Sequence, residues 1–240
     1  MVKMIRDLTG RFALRPYYIA SDLDRECEQI VTDFLTIRHG AVRFPITTDE
    51  LSVLIEMEGA DLDSCVDLSL YGDNVEGVTA FYVDREPDVM ISDRLANDPR
   101  RENRLRTTLA HEFGHVRFHR HLWAEKLATG DLFAVQKDDD NKAICKRDTI
   151  LNAPQSDWME WQAGYISGAI LMPVSAVRQL ADEYCTPRGI YSAVDLQSDH
   201  GQILVHSVKD EFQVSEEAAR VRLRALNLLS ATTRQSALPL

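Results

Sequence analysis

His111-Glu112-Phe113-Gly114-His115 is the stretch that most restricts what this chain can fold into. It has the form H-E-x-x-H. On an α-helix, residues four apart lie about 40° apart around the axis and about 6 Å along it. Two imidazoles then face one point in space, where a divalent metal can accept both and still keep open positions. The pattern therefore needs a helix, and the flanking residues predict one. Asp98 is suited to cap its start, with Pro99 at the first helical position. Leu105, Leu109, Phe113 and Val116 then recur at helical spacing. Gly114 weakens such a helix by up to about 1 kcal/mol relative to alanine, which makes sense if another backbone passes close by. Glu112, beside a bound metal, can take a proton from a metal-bound water. The combination points to metal-assisted peptide hydrolysis.

A catalytic zinc usually has three protein ligands and a water. Two residues compete for the third place. His121 has the spacing of the longer H-E-x-x-H-x-x-G-x-x-H motif, but that motif needs glycine where this chain has Phe118. A helix continuing through Phe118 carries His121 away from the metal. The other candidate, Glu160, shares a helical face with Ala163, Gly164, Ser167 and Gly168. Small residues let a second helix approach the one that carries Gly114. Trp161, Tyr165, Ile166 and Ile170 form the other face and suit a core. A carboxylate on the small, buried face needs a cation or hydrogen bonds to offset its desolvation. The plainer alternative is a surface glutamate favoured by the helix dipole.

Thr108-Leu109-Ala110 with the motif that follows, Glu160-Trp161-Gln162-Ala163, and the Leu171-Met172-Pro173 ending together resemble the ImmA/IrrE metallopeptidases. These are bacterial zincins with a glutamate as third ligand. Arg104, Arg106 and His119 also resemble that pattern, which runs from about Val78 to Pro173. The resemblance implies a zincin-like α+β core, His111, His115 and Glu160 as ligands of a zinc ion, and Glu112 as the catalytic carboxylate. Two imidazoles and a carboxylate also suit other divalent ions, Mn2+ among them. Gly164 stands where the family often has Asn or Asp, so a hydrogen bond to a zinc-binding histidine is expected to be missing or supplied elsewhere. Arg106 and His119 are the candidates for a second oxyanion donor, and each also has a purely structural reading. The resemblance further implies the substrate: a helix-turn-helix repressor, often encoded next door. Its cleavage would relieve repression in a stress response, a mobile element or a toxin–antitoxin pair.

The rest of the chain fits an α+β reading with a small mixed or antiparallel sheet. A helix is expected from Ser21 to about Arg38, and a second, opened by a Thr47/Glu50 capping box, to about Met57. Strands are expected at Cys65–Tyr71, Gly77–Val83 and Asp88–Ser92. Val89-Met90-Ile91 reads either as an edge strand that holds substrate by strand addition or as an interior strand. Asp138-Asp139-Asp140 suggests a solvated loop between the two motifs. The peptidase domain is expected over residues 1–185, a helix-turn-helix-like segment over 190–230, and a loose tail over 231–240. Ser215 should cap the second helix of that segment. Lys209, Arg220, Arg222 and Arg224 are offset there by Asp210, Glu211, Glu216 and Glu217, which disfavours direct DNA binding.

The net charge of −11 likewise argues against unassisted binding to nucleic acid or an anionic membrane. No apolar run is long enough for a membrane span, and the N-terminus lacks the apolar run of a signal peptide. The four cysteines are scattered, with no C-x-x-C pair, which suits a reduced, cytoplasmic protein. The rival to a peptidase is a DNA-binding or repressor-sequestering regulator with a non-catalytic metal, marked by a fourth protein ligand and no open position.

Overall fold

The computed structural model describes residues 2–129, 141–147, 150, 151, 153, 154 and 156–230. The first twenty residues carry little periodicity, yet they form an antiparallel hairpin of β1 (Lys3–Arg6) and β2 (Leu14–Tyr17). The stripe Leu23, Cys27, Val31, Phe34 and Leu35 then buries one side of α1 (Ala20–His39). Gly40 ends this helix in a left-handed conformation, with its N–H returned to the Thr36 carbonyl. The expected cap at Ser21 is not used. Extended backbone from β2 enters the helix at Ile19, so Ser21 falls in the first turn. The capping box of α2 (Thr48–Met57) forms as expected: Glu50 Oε2 accepts from Thr47 N at 2.7 Å, and Thr47 Oγ1 accepts from Glu50 N at 3.2 Å.

Three strands follow: β3 (Asp61–Val66), β4 (Val75–Ala80) and β5 (Asp88–Ser92). The first stops at Val66 instead of running to Tyr71. Asp67 accepts the Ser69 N–H at 2.9 Å and turns the chain into a 3-10 turn at Ser69–Tyr71. The alternation Val66, Leu68, Leu70 thus runs through a turn, with Leu68 buried and Leu70 exposed. After the short α3 (Asp93–Ala96), Asp98 caps a 3-10 turn at Pro99–Arg101 that leads into α4 (Glu102–Gly114), the motif helix. A π-helical turn, His115–His119, joins α4 to α5 (Arg120–Thr129).

Next come β6 (Lys142–Lys146), α6 (Trp158–Leu171), α7 (Val174–Cys185), β7 (Val194–Asp195), α8 (Asp199–Phe212), α9 (Glu216–Ala225) and β8 (Leu229–Ser230). Four strands make a mixed sheet in the order β3-β5-β4-β6, parallel only between β3 and β5. β5 is therefore interior. The edge-strand reading of Val89-Met90-Ile91 gives way because β3 pairs in parallel with the side of β5 that β4 leaves open. Val78, Met90 and Ile144, in register, pack with Leu68 and Val75 on one face. Val89 and Ile91 join Leu109 and Phe113 of α4 in the main core on the other.

α4 and α6 pack against each other, and Gly114 permits the approach. A Cβ there would lie 3.3 Å from Ala163 Cα and from Ile166 Cγ2. The small-residue face of α6 divides its work. Ala163 meets α4, Gly164 meets the Ile150 carbonyl, and Gly168 lies near Arg222. Ser215 caps α9 by accepting the Ala218 N–H at 3.1 Å, and apolar side chains of α8 and α9 belong to the same core as α1, α4 and α6. Arg222 is buried: Nη1 donates to Asp24 Oδ1 at 2.6 Å and Nε to the Met172 carbonyl at 2.9 Å. The Asp138-Asp139-Asp140 loop and the 231–240 tail lie outside the described residues. Among those residues, no helix is long and apolar enough to cross a membrane.

Candidate metal centre

The helical spacing of His111 and His115 and the close approach at Gly114 bring three side chains together. His111 Nε2 lies 3.1 Å from Glu160 Oε2 and 3.1 Å from His115 Nε2, and His115 Nε2 lies 3.3 Å from Glu160 Oε1. All three residues are buried. An ion with bonds of about 2.0–2.1 Å to tetrahedrally placed ligands sets those ligands about 3.3–3.4 Å apart. The observed separations are close to that, with each imidazole facing a different oxygen of the Glu160 carboxylate, so two imidazoles and a carboxylate here fit a divalent metal in size and in donor chemistry. Charge agrees. Burial opposes ionisation of Glu160, but the His115 charge and hydrogen bonds from both imidazoles outweigh it and hold the carboxyl well below its ordinary range. Burial also opposes a charge on His115, and Glu160 overcomes it, raising the imidazole pKa. The pocket is built to join a negative carboxylate to positive charge.

Which nitrogen of His115 faces this centre is set from outside it. The Pro16 carbonyl can only accept, and Gln162 Nε2 donates to it at 3.3 Å. Gln162 Oε1 must then accept from His119 Nε2, at 3.0 Å. That leaves His119 Nδ1 as the acceptor for His115 Nδ1, at 3.1 Å. His115 Nε2 is thereby the atom free to offer a lone pair to a metal. Burial, and then the nearby His115, keep His119 uncharged, with a pKa well below the ordinary value. The π-helical turn keeps His119 behind His115. The contact put in doubt by Gly164 is thus supplied to His115 by His119. At His111 it is missing: Nδ1 is buried without a partner among the described residues. A Cβ at Gly164 would lie 2.3 Å from the Ile150 carbonyl, so loop backbone fills the room a larger side chain would use.

Glu112 is fully buried next to the triangle. Its Oε2 accepts from Thr79 Oγ1 at 2.5 Å, while Oε1 has no partner among the described residues. Burial raises its pKa against the pull of both imidazoles and of Thr79. Gly77 makes the seat, because a Cβ there would lie 2.3 Å from Glu112 Oε1. Cys145, opposite Gly77 on β6, adds a wall. Its sulfur, a His111 nitrogen and a Glu112 oxygen all lie within 4.8 Å of one another. Burial and the neighbouring carboxylates Glu112 and Glu160 push that thiol well up, so it stays neutral. Gly77, Thr79 and Cys145 sit on strands remote in sequence, and only the strand register brings them to Glu112.

The remaining candidates lie elsewhere. His121 is exposed on α5. His119 stands behind His115, between it and Gln162. Arg106 donates to the Phe212 and Gln213 carbonyls at 3.2 and 2.8 Å and caps the end of α8. Neither His119 nor Arg106 is placed as an oxyanion donor. No curated protein matches the chain. The family model Peptidase_M78, the IrrE N-terminal-like domain, matches residues 74–224, from the start of β4 to the end of α9. That region is more than half of the sequence and contains the whole His111, His115 and Glu160 cluster, and the chain accordingly belongs to the IrrE N-terminal-like peptidase family.

Proposed function

We propose that this protein is a zinc-dependent endopeptidase in which His111, His115 and Glu160 hold the metal and Glu112 is the general base. The observation that carries the reading is the pairing of a ligand-spaced triangle with one unpartnered carboxylate oxygen, Glu112 Oε1, beside it. A zinc ion held there would supply Lewis acidity and bring a water within reach of deprotonation near neutral pH. Glu112 Oε1 takes that proton and returns it to the leaving amine. Thr79 holds the other carboxylate oxygen, so the proton-accepting atom keeps one direction. The raised pKa of Glu112 suits a group that must both take and give a proton.

Substrate reaches the centre along a cavity of about 440 Å³ between β6 and the start of α6, with Glu160 in its wall. Among the described residues no strand pairs with the outer side of β6. An extended peptide can add there as a further strand. The substrate class follows from the family resemblance: a helix-turn-helix repressor, encoded nearby, whose cleavage relieves repression. In this reading α8 and α9 form a helix-turn-helix-like segment that docks protein rather than DNA. Burial of Arg222 against Asp24 and pairing of Arg220 with Glu216 support that choice.

The test is Glu112→Gln. The variant should keep stoichiometric metal by mass spectrometry and lose cleavage of the repressor encoded beside it. Cleavage at the parental rate, or cleavage by the parent unaffected by chelator, would remove the basis of the proposal.

A further inference from the structure

The β1–β2 hairpin lies outside the matched region, yet it is fastened to the part of α6 that carries Glu160. Asp7 is buried and accepts from Trp158 Nε1 at 3.1 Å and from Phe12 N at 3.0 Å. Phe12 packs edge-on against Trp123 and Trp158. The Pro16 carbonyl, on β2, is tied to Gln162. These contacts fix the connection between the two strands, and with it Arg11. The Arg11 side chain is exposed and forms no ion pair among the described residues. Its Nη1 reaches Met159 Sδ, next to Glu160, at 3.5 Å.

Arg11 lines the cavity of about 440 Å³ beside Glu160 and also one of about 570 Å³ that shares Arg11, Lys142 and Asp157 with it. Lys146 adds to the first and Lys126 to the second. Among the described residues Asp157 and Glu160 also line these cavities, and Glu160 is directed at the two imidazoles.

We propose that Arg11 is a substrate-binding residue that makes this cleft select an acidic side chain close to the scissile bond. The assignment rests on the peptidase reading of the same site. A guanidinium presents a planar fork of donors matched to a carboxylate, and here its backbone is held rigidly by the hairpin.

Binding is read by fluorescence anisotropy on the metal-loaded, full-length Glu112→Gln protein. The probes are labelled peptides of alternating Ala and Glu, Ala and Gln, or Ala and Lys. The Glu peptide should bind tightest, and Arg11→Glu and Arg11→Gln should each weaken it by about tenfold or more. Arg25→Glu, an equal change of charge on exposed α1, should leave it unchanged. Equal affinity for the three peptides, or equal loss in Arg11→Glu and Arg25→Glu, overturns the proposal. A second arm digests a proteome-derived peptide library with the parent enzyme. Acidic residues should be enriched near the cut and lose that enrichment in Arg11→Glu, with the change carried by KM. If the parent cuts nothing while the Glu peptide binds in an Arg11-dependent way, the peptidase reading fails and the acidic subsite stands.

Discussion

Adding a single methyl group at Gly77 should silence the site while leaving the fold nearly intact. The new Cβ would lie 2.3 Å from Glu112 Oε1, 2.9 Å from its Cδ and 3.0 Å from Thr108 Cγ2. Something must yield. The β4 backbone is held by partners on both sides, with Gly77 opposite Ile91 and Cys145. The carboxylate is the far end of a flexible side chain, so it moves. Its hydrogen bond from Thr79 Oγ1, 2.5 Å long, is then lost. A hydrogen bond to a charged group contributes about 1.5–3 kcal/mol. Restricting the unfolded chain by replacing glycine returns about 0.4–1 kcal/mol. The net loss of stability for Gly77→Ala should be about 1–2 kcal/mol. Catalysis suffers more, because a displaced general base forfeits about 10²–10⁴ in rate. Metal affinity should change little, since the three atoms nearest the new methyl belong to Glu112 and Thr108 and not to His111, His115 or Glu160. The assay combines cleavage rates on the proposed repressor substrate, metal content and urea unfolding on one preparation. Parental kcat with full metal would refute the seat assigned to Glu112. A stability loss above about 4 kcal/mol would instead show that the strand gives way and not the carboxylate.

Two further outcomes follow from buried charge. Arg222→Ala strips Asp24 of its buried partner, leaving the Tyr165 hydroxyl at 2.9 Å, and should cost about 3–5 kcal/mol in urea unfolding; a loss below about 1 kcal/mol would contradict a buried ion pair. Burial works to raise the Glu50 pKa, but hydrogen bonds from Thr47 and His39 and the Arg43 charge outweigh it and hold the carboxyl below its ordinary value. A carboxyl depressed in the folded state stabilises above its unfolded pKa of about 4.3 and loses that contribution as pH falls through the folded pKa. The parent should therefore exceed Glu50→Gln in stability at pH 6 and converge with it on acidification; a gap that widens in acid would show the sign to be wrong.

The parts of this molecule that could be read in advance are those whose signals are local. The capping box at Thr47 and Glu50 and the spacing of His111 and His115 each lie within a single helical turn. Glu160 was reachable through a slightly longer inference, because the small residue Ala163 and the interior Gly114 imply two helices in close contact. Strand neighbours carry no such signal. Nothing near Gly77 or Cys145 states that they face each other across a ladder, and β6 follows an acidic run that suggests a loop. The expected strand at Cys65–Tyr71 shows the opposite error, an apolar alternation carried past the turn made by Asp67. The hairpin was illegible because its anchors, Asp7 to Trp158 and Phe12 to Trp123, join residues far apart in the chain.

The hydrogen bonds that run from Pro16 through Gln162 and His119 to His115 have an orientation, because a carbonyl at one end can only receive. A peptide oxygen in the first hairpin thereby dictates the tautomer of the His115 imidazole in the candidate metal site. Removing the opening residues would deprive the relay of its fixed terminus. The Gln162 amide could then rotate, and the ring of His115 could present a proton where an ion needs an electron pair. The N-terminal segment, outside the matched family region, in that sense helps to shape the candidate metal site.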